Sequence, residues 1–295
     1  MMRSLFSAIS GLRNHQLLMD NVGNNIANVN TTGFKGSRVT FEDVISQTLR
    51  QSTGPTAERG GQNPLQMGLG VQVGTIDTMI TQGNLQATDK PTDLAIQGDG
   101  YFVLSDNAQT NPSYSYTRDG NLSLGVAPNG GTDRPLVQSA TGLHVKGWIP
   151  PQAAGTADTT TAPTSDITIP ATGQNGSAVT GFNVDSTGVI SLTLADGTVQ
   201  SGYAQIAIAS FANPAGLNRA GGNLFTPSAN SGAASYNGAA TNGRGELKAG
   251  FLEMSNVDLA AQFTNMIIAQ RGFQANSRVI TASDEVLQDL VNIKH

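Results

Sequence analysis

The chain has 295 residues, a formal net charge of -5 and no cysteine. Its negative balance and its 16 scattered Lys and Arg residues argue against nucleic acid as a partner, because neutralising phosphates requires a basic face. The absence of cysteine excludes disulfides, thiolate metal sites and thiol nucleophiles. We expect no membrane insertion, since no stretch approaches the roughly 20 apolar residues that cross a bilayer.

The first segment has the alternating four-three apolar spacing of a coiled-coil seam. It predicts a helix from Ser4 to Asn28, roughly 37 Å long. The seam consists of Leu5, Ile9, Leu12, Met19 and Ile26. Uncharged amides lie on the remaining faces, among them Asn24, Asn25 and Asn28. The opening residues lack a continuous apolar run, so we expect export without a cleaved signal peptide.

The last segment repeats this spacing over a longer run and predicts a second helix of the same kind. Its seam consists of Leu259, Phe263, Met266, Phe273, Ile280, Leu287 and Val291. Ser255 or Asn256 is the predicted N-cap. Asp258 is expected in the first turn, where the helix dipole favours an anion.

Periodicity alone fits two arrangements of these helices equally well: packing on the central domain, or pairing in an assembly. Their positions at opposite termini and their Asn and Gln residues favour assembly, because a solvent-facing helix normally carries Lys and Glu. Helices with such polar and glycine breaks are marginal alone, so we predict that they fold on assembly.

The middle of the chain predicts short strands and turns, which makes the fold class α+β: paired terminal coiled-coil helices plus an all-β, hairpin-rich middle domain. Hairpin turns are predicted at residues 98–100, 119–120 and 196–197, and a short helix is possible from Phe41 to Leu49. A low-complexity loop lies near residues 150–165. The predicted domains are an N-terminal helix (1–32), an extended connector (33–74), a β-rich outer domain (75–250) and a C-terminal helix (251–295).

Catalytic chemistry has no support in the pattern of residues. The three histidines, His15, His144 and His295, are far apart, and none forms a helical pair with a carboxylate. No Gly-x-Ser-x-Gly elbow surrounds any serine. We therefore expect a non-enzyme and assign no catalytic, cofactor-binding or metal-binding residue. The seam residues and the three asparagines named above are the predicted self-assembly residues.

Three stretches resemble the axial proteins of the bacterial flagellum, the family of rod and hook subunits. Residues 24–35 read NNIANVNTTGFK, similar to the N-terminal signature of that family. Residues 82–86 (QGNLQ) with 92–102 (TDLAIQGDGYF) form the second stretch. The third joins residues 252–259 (LEMSNVDL) to residues 266–277 (MIIAQRGFQANS). These stretches cover both ends and the first predicted hairpin.

The resemblance implies an exported subunit that polymerises into a helical tube with an export channel. Residues 37–41, 60–64 and 256–259 resemble the hook subunit, whose tube is a flexible universal joint that transmits motor torque to the filament. The stretch from Trp148 to Gly181 is too short for an additional large outer domain, which leaves a distal rod subunit of the basal body as an alternative. A secreted oligomeric β-rich adhesin or enzyme is a second alternative.

The partners implied for a hook subunit are further copies of this chain, the distal rod protein, the hook–filament junction protein, the hook cap and the flagellar export apparatus. The implied location is the extracellular hook, or the distal basal-body rod.

Overall fold

A computed structural model describes residues 2–55, 59–106, 113–126, 132–151, 162–163 and 165–293. Most of the low-complexity loop predicted near residues 150–165 lies outside these ranges. The chain divides into two compact units. Unit 1 is built from Met1–Asn28, Gly36–Met79 and Val257–His295, and unit 2 from Val29–Lys35 and Ile80–Asn256.

Unit 1 contains both predicted helices and two strand pairs. The helices are α1, Met2–Ala27, and α2, Leu259–Asn292. The strands are β1 (Ser37–Asp43), β2 (Gln47–Arg50), β3 (Leu65–Met67) and β4 (Val71–Thr78). β1 pairs antiparallel with β4, and β2 pairs antiparallel with β3.

The helix considered from Phe41 to Leu49 is wrong. Phe41 lies in β1 opposite Val73, and Leu49 lies in β2. The backbone of this segment finds hydrogen-bond partners across the strand pairs, and its β-branched residues Val44, Ile45 and Thr48 disfavour a helix. The Thr40 hydroxyl reinforces the register by pairing with the Thr75 hydroxyl at 2.7 Å.

The start of α2 is capped by Asp258. Its carboxylate oxygen Oδ1 accepts hydrogen bonds from the backbone N–H groups of Ala260 at 2.9 Å and Ala261 at 3.4 Å. The predicted cap at Ser255 or Asn256 is therefore wrong by two or three positions, and the residues before it belong to a strand and a loop. No helix in the described part of the chain has the length and apolar character to cross a membrane.

Unit 2 is built from short strands that alternate with turns. They are β5 (Leu85–Ala87), β6 (Leu94–Gln97), β7 (Tyr101–Ser105), β8 (Tyr114–Thr117), β9 (Leu122–Leu124), β10 (Arg134–Gln138), β11 (His144–Trp148), β12 (Ser165–Asp166), β13 (Thr168–Ile169), β14 (Val179–Val184), β15 (Val189–Leu194), β16 (Val199–Ile206), β17 (Ile208–Ser210), β18 (Asn218–Gly221), β19 (Leu224–Thr226), β20 (Ser235–Asn237), β21 (Glu246–Ala249) and β22 (Phe251–Glu253).

Most of these strands join one antiparallel sheet, whose main path runs β14-β15-β16-β11-β7-β8-β19-β18. β6 pairs with β21, and β5 pairs with β22. Two apolar clusters form the core. One is aliphatic and includes Leu104, Val145 and Ile206. The other is aromatic and includes Tyr101 and Tyr116.

The predicted strands are present, but only some of the predicted hairpins are. β15 and β16 form the hairpin around residues 196–197, as predicted. At residues 98–100 and 119–120 the prediction is wrong, because β6 pairs with β21 and β9 pairs with β10. Gly120 lies so close to Leu94 that a Cβ on it would stand 1.5 Å from the Leu94 carbonyl oxygen. The chain therefore passes over β6 there instead of reversing beside β8.

Candidate functional site

Asparagines attach α1 to the strands of unit 1. The Asn14 side-chain amide donates to the Val71 carbonyl oxygen at 2.7 Å. The fully buried Asn25 donates to the Ser37 carbonyl oxygen at 2.7 Å and accepts from the Ser37 N–H at 3.0 Å. The side-chain amides of this helix thus form hydrogen bonds with backbone groups of the strands. A charged side chain buried at the same place would need an oppositely charged partner.

The two terminal helices lie side by side and antiparallel in unit 1, and they meet through small and amide residues. Asn25 donates to Gln262 at 3.3 Å. A Cβ on Gly11 would stand 2.5 Å from the Asn276 side chain, and one on Gly272 would stand 2.4 Å from the His15 ring. The close approach of the helices therefore depends on glycine on each of them.

The predicted self-assembly residues divide into three groups by exposure. Asn25 is buried within the chain. The half-buried group consists of Leu5, Leu12, Met19, Ile26, Asn28, Met266 and Ile280. The exposed group consists of Ile9, Asn24, Leu259, Phe263, Phe273, Leu287 and Val291. Most of the large apolar residues of the α2 seam are thus left without cover in the single chain.

A second apolar stripe runs along α2, outside the seam predicted from the sequence. It consists of Ala261, Ile268, Ala275, Val279, Ala282 and Val286, all exposed. These residues recur at intervals of seven, four and three, so they share one face. A row of charged residues, Arg271, Arg278 and Glu285, runs beside this stripe, each three residues after one of its members. α2 therefore has exposed apolar surface on more than one side, with a charged row beside the second stripe.

In unit 2 the three stretches that carry the family resemblance converge on one buried carboxylate. Glu253 and Lys35 have no exposed side-chain surface, and their Oε1 and Nζ atoms lie 2.6 Å apart. The backbone N–H of Gly83 donates to the same Oε1 at 2.9 Å. Lys35 ends the first stretch, Gly83 lies in the second and Glu253 lies in the third.

Comparison with protein families gives three matches in chain order. Residues 5–35 match the flagella basal body rod protein family, residues 95–192 the flagellar hook protein FlgE/F/G D1 domain, and residues 248–293 the flagellar basal body rod FlgEFG protein C-terminal family. The outer two matches cover most of α1 and all of α2, and the middle one lies in unit 2.

Curated relatives match over the full length of the chain. The flagellar basal-body rod protein FlgG of Bacillus subtilis is 47% identical, with all of both chains covered. The flagellar hook protein FlgE of Borreliella burgdorferi is 31% identical, again with all of both chains covered. This chain belongs to the flagellar rod and hook protein family. The basal-body rod protein FlgG of the same spirochaete is 35% identical and covers 100% of this chain and 99% of its own.

The chain is thus a structural subunit of the flagellar rod or hook. Two features of this rod/hook subunit were not found by sequence reasoning. The second apolar stripe of α2 was missed because the four-three spacing was assigned to a single seam on that helix. The Lys35–Glu253 contact was missed because 218 positions separate its partners, although both residues lay inside the resembling stretches.

Proposed function

We propose that this chain is the hook subunit, which polymerises through its terminal helices into a helical tube that transmits torque as a flexible joint and encloses an export channel. The observation that carries the polymerisation is the uncovered apolar surface of α2. Ile268, Val279 and Val286 are 43–57% exposed, and the seam residues Phe263 and Val291 are exposed as well. Burying such side chains stabilises an assembly by about 1.5–3 kcal/mol each.

The proposed partner for this surface is another copy of the same chain, with the helices pairing as coiled coils. A helix with apolar residues on several sides fits an environment in which neighbours cover those sides. A head-to-tail contact that does not close produces a helical filament. Within this proposal, the helical segments 1–32 and 251–295 form the inner wall of the tube. Residues 33–74 are the extended connector, and residues 75–250 form the β-rich outer domain.

The polymerisation step is tested by placing a charge on the second stripe. We expect Ile268→Lys to abolish tube formation in electron micrographs, because the ammonium group would be buried between subunits. The matched control is Gln274→Lys, which lies three residues after Arg271 and four before Arg278, away from the stripe, and is also exposed. Tubes from Ile268→Lys, or a loss of tubes in both variants, would contradict the role of the stripe.

A hook assignment is supported by residues 37–41, 60–64 and 256–259 and by relatives named as hook proteins that match the whole chain. The relatives from Borreliella burgdorferi and Treponema pallidum are 31% and 30% identical and cover all of this chain. The proposed location is the extracellular hook, and the proposed partners are the distal rod protein, the junction protein, the hook cap and the export apparatus.

A distal rod subunit is the second candidate, favoured by the 47% identity to a relative named as a basal-body rod protein. Deletion of the gene distinguishes the two. A strain that retains a complete rod without a hook supports the hook assignment, whereas loss of the distal rod supports the alternative. Immunogold labelling of isolated basal bodies gives an independent answer, since the label falls either on the curved hook or inside the rod.

A further inference from the structure

Glu253 lies where three segments of unit 2 meet. Its Oε1 accepts from Lys35 Nζ at 2.6 Å and from the Gly83 N–H at 2.9 Å, and its backbone carbonyl accepts from the Gly33 N–H at 2.8 Å. Lys35 also donates to the Thr81 carbonyl oxygen at 2.9 Å. Glu253, which lies in the segment before α2, thus contacts two other segments. One follows α1 in the chain, and the other precedes β5.

A second buried cation shares the carboxylate. Arg118 Nη1 lies 3.3 Å from Glu253 Oε2, and its side chain is only 2% exposed. The guanidinium also stands over the Tyr101 ring, 5.4 Å from its centroid. Glu253 therefore separates two cations that water does not screen, and its charge keeps both of them in place.

The backbone around Glu253 is closely packed. A Cβ on Gly83 would stand 1.9 Å from the Met254 carbonyl oxygen. Gly33 has a φ of +67°, and a Cβ there would stand 2.6 Å from the Asp119 N. Such close packing holds only if the three segments keep their registration.

We propose that Glu253 is a positioning residue for assembly, whose carboxylate holds the segment that follows α1 and the segment that leads into α2 together within unit 2. The proposal rests on the proposed function, because it is polymerisation that requires each subunit to present its helices alike. The ionic contact is intramolecular and is formed before any neighbour binds.

A charge role and a packing role give different results. Glutamine has the shape of glutamate and still accepts from Lys35 and Gly83, so a packing role predicts little effect of Glu253→Gln. A charge role predicts a large effect, since Lys35 and Arg118 would then face each other without an anion. It also predicts that Lys35→Met partly rescues Glu253→Gln by removing one of the two cations.

The experiment measures hydrogen exchange of the Gly33 and Gly83 amides, and tube formation, in full-length protein. We expect Glu253→Gln to speed exchange of both amides by about tenfold or more, while amides of the core such as Ile206 keep their protection. Tube formation should slow in parallel. Lys35→Met alone should act less strongly, because Glu253 keeps Arg118. Asp77→Asn is the matched control, since it removes an acidic partner from an exposed pair with Arg38.

The double variant decides the outcome. Faster exchange in Glu253→Gln together with slower exchange in the double variant supports the proposal, and so does a double variant that is soluble where Glu253→Gln is not. Unchanged exchange in Glu253→Gln, or a double variant worse than either single one, overturns it. If the wild-type protein forms no tubes, the proposed function fails, and the exchange data still decide the positioning role.

Discussion

Burial raises the pKa of several tyrosine hydroxyls in unit 2. Burial raises the pKa of Tyr101 to about 12, and its hydroxyl has no hydrogen-bond partner among the described residues. Burial, and then a 2.5 Å hydrogen bond between the two hydroxyls, raises the pKa of Tyr116 beside Tyr236. Each of these groups keeps its proton in the folded chain at a pH where the unfolded chain has lost it.

We predict that Tyr101 contributes stability that is fully present below pH 10.0, the ordinary pKa of a tyrosine, and is lost as the pH rises towards about 12. The loss amounts to roughly 3 kcal/mol at most, from two pKa units. Tyr101→Phe should therefore lose less stability over this window than the wild type in urea melts followed by circular dichroism. Equal losses in the two proteins would contradict the assignment.

The titration of Lys35 changes the stability of the folded chain in the opposite direction. Burial lowers its pKa from 10.5, with Glu253 opposing the shift. The unfolded chain therefore binds more protons between the lowered pKa and 10.5, and stability rises with pH in that window. Lys35→Met should remove this rise, which separates it from the tyrosine effect in the same urea melts.

At the scale of elements, α1 and α2 differ from ordinary amphipathic helices in what they bury. Small residues and amides make the contacts between them: Gly11 lies against Asn276, Gly272 against His15, and Asn25 donates to Gln262. Many of the large apolar residues point elsewhere. The contact within the chain is therefore close, and large apolar side chains such as Phe263 and Val291 stay exposed in the single chain.

Glycines in the two helices should respond in opposite ways to alanine. A Cβ on Gly23 would have no neighbouring atom within 4 Å, so Gly23→Ala should stabilise α1 by about 0.5–1 kcal/mol. Gly272→Ala would press on the His15 ring and should cost about 1–3 kcal/mol. The temperature at which tubes dissociate measures both effects. Shifts of the same sign would contradict the close contact between the helices at Gly272.

At the scale of the whole molecule, the two units differ in how their strands are stabilised. The sheet of unit 2 has two buried apolar clusters of its own. In unit 1, β2 and β3 are exposed along their whole length, and β1 is held partly by Asn25. An isolated strand pair has marginal stability in water, so these strands depend on what packs against them.

We predict that a chain without residues 2–27 and 258–293 keeps unit 2 folded and forms no tubes. The near-ultraviolet circular dichroism of Trp148, in β11, should match that of the full chain. Trypsin should cleave first between residues 36 and 79, because Arg38 lies in β1, which has lost α1, and Arg50 lies in β2, which is exposed. Loss of the Trp148 signal would show that unit 2 depends on the helices.

The sequence by itself determined the two terminal helices, the positions of most strands and the family, because apolar periodicity, turn residues and signature stretches are local features. It also located the turn at residues 196–197, where a short loop joins neighbouring strands. It did not determine the partners of β6 and β9, since Gly98, Gly100 and Gly120 allow the chain to pass across another strand as readily as to reverse.

Only the tertiary structure decided which faces of α2 are covered and how Lys35 meets Glu253. Several stripes of α2 are apolar, and periodicity cannot tell which of them packs within the chain. The partners of the ion pair are 218 positions apart and are joined only when unit 2 is folded. In both cases the deciding contacts are long-range, and no short window of sequence contains both of the groups that make them.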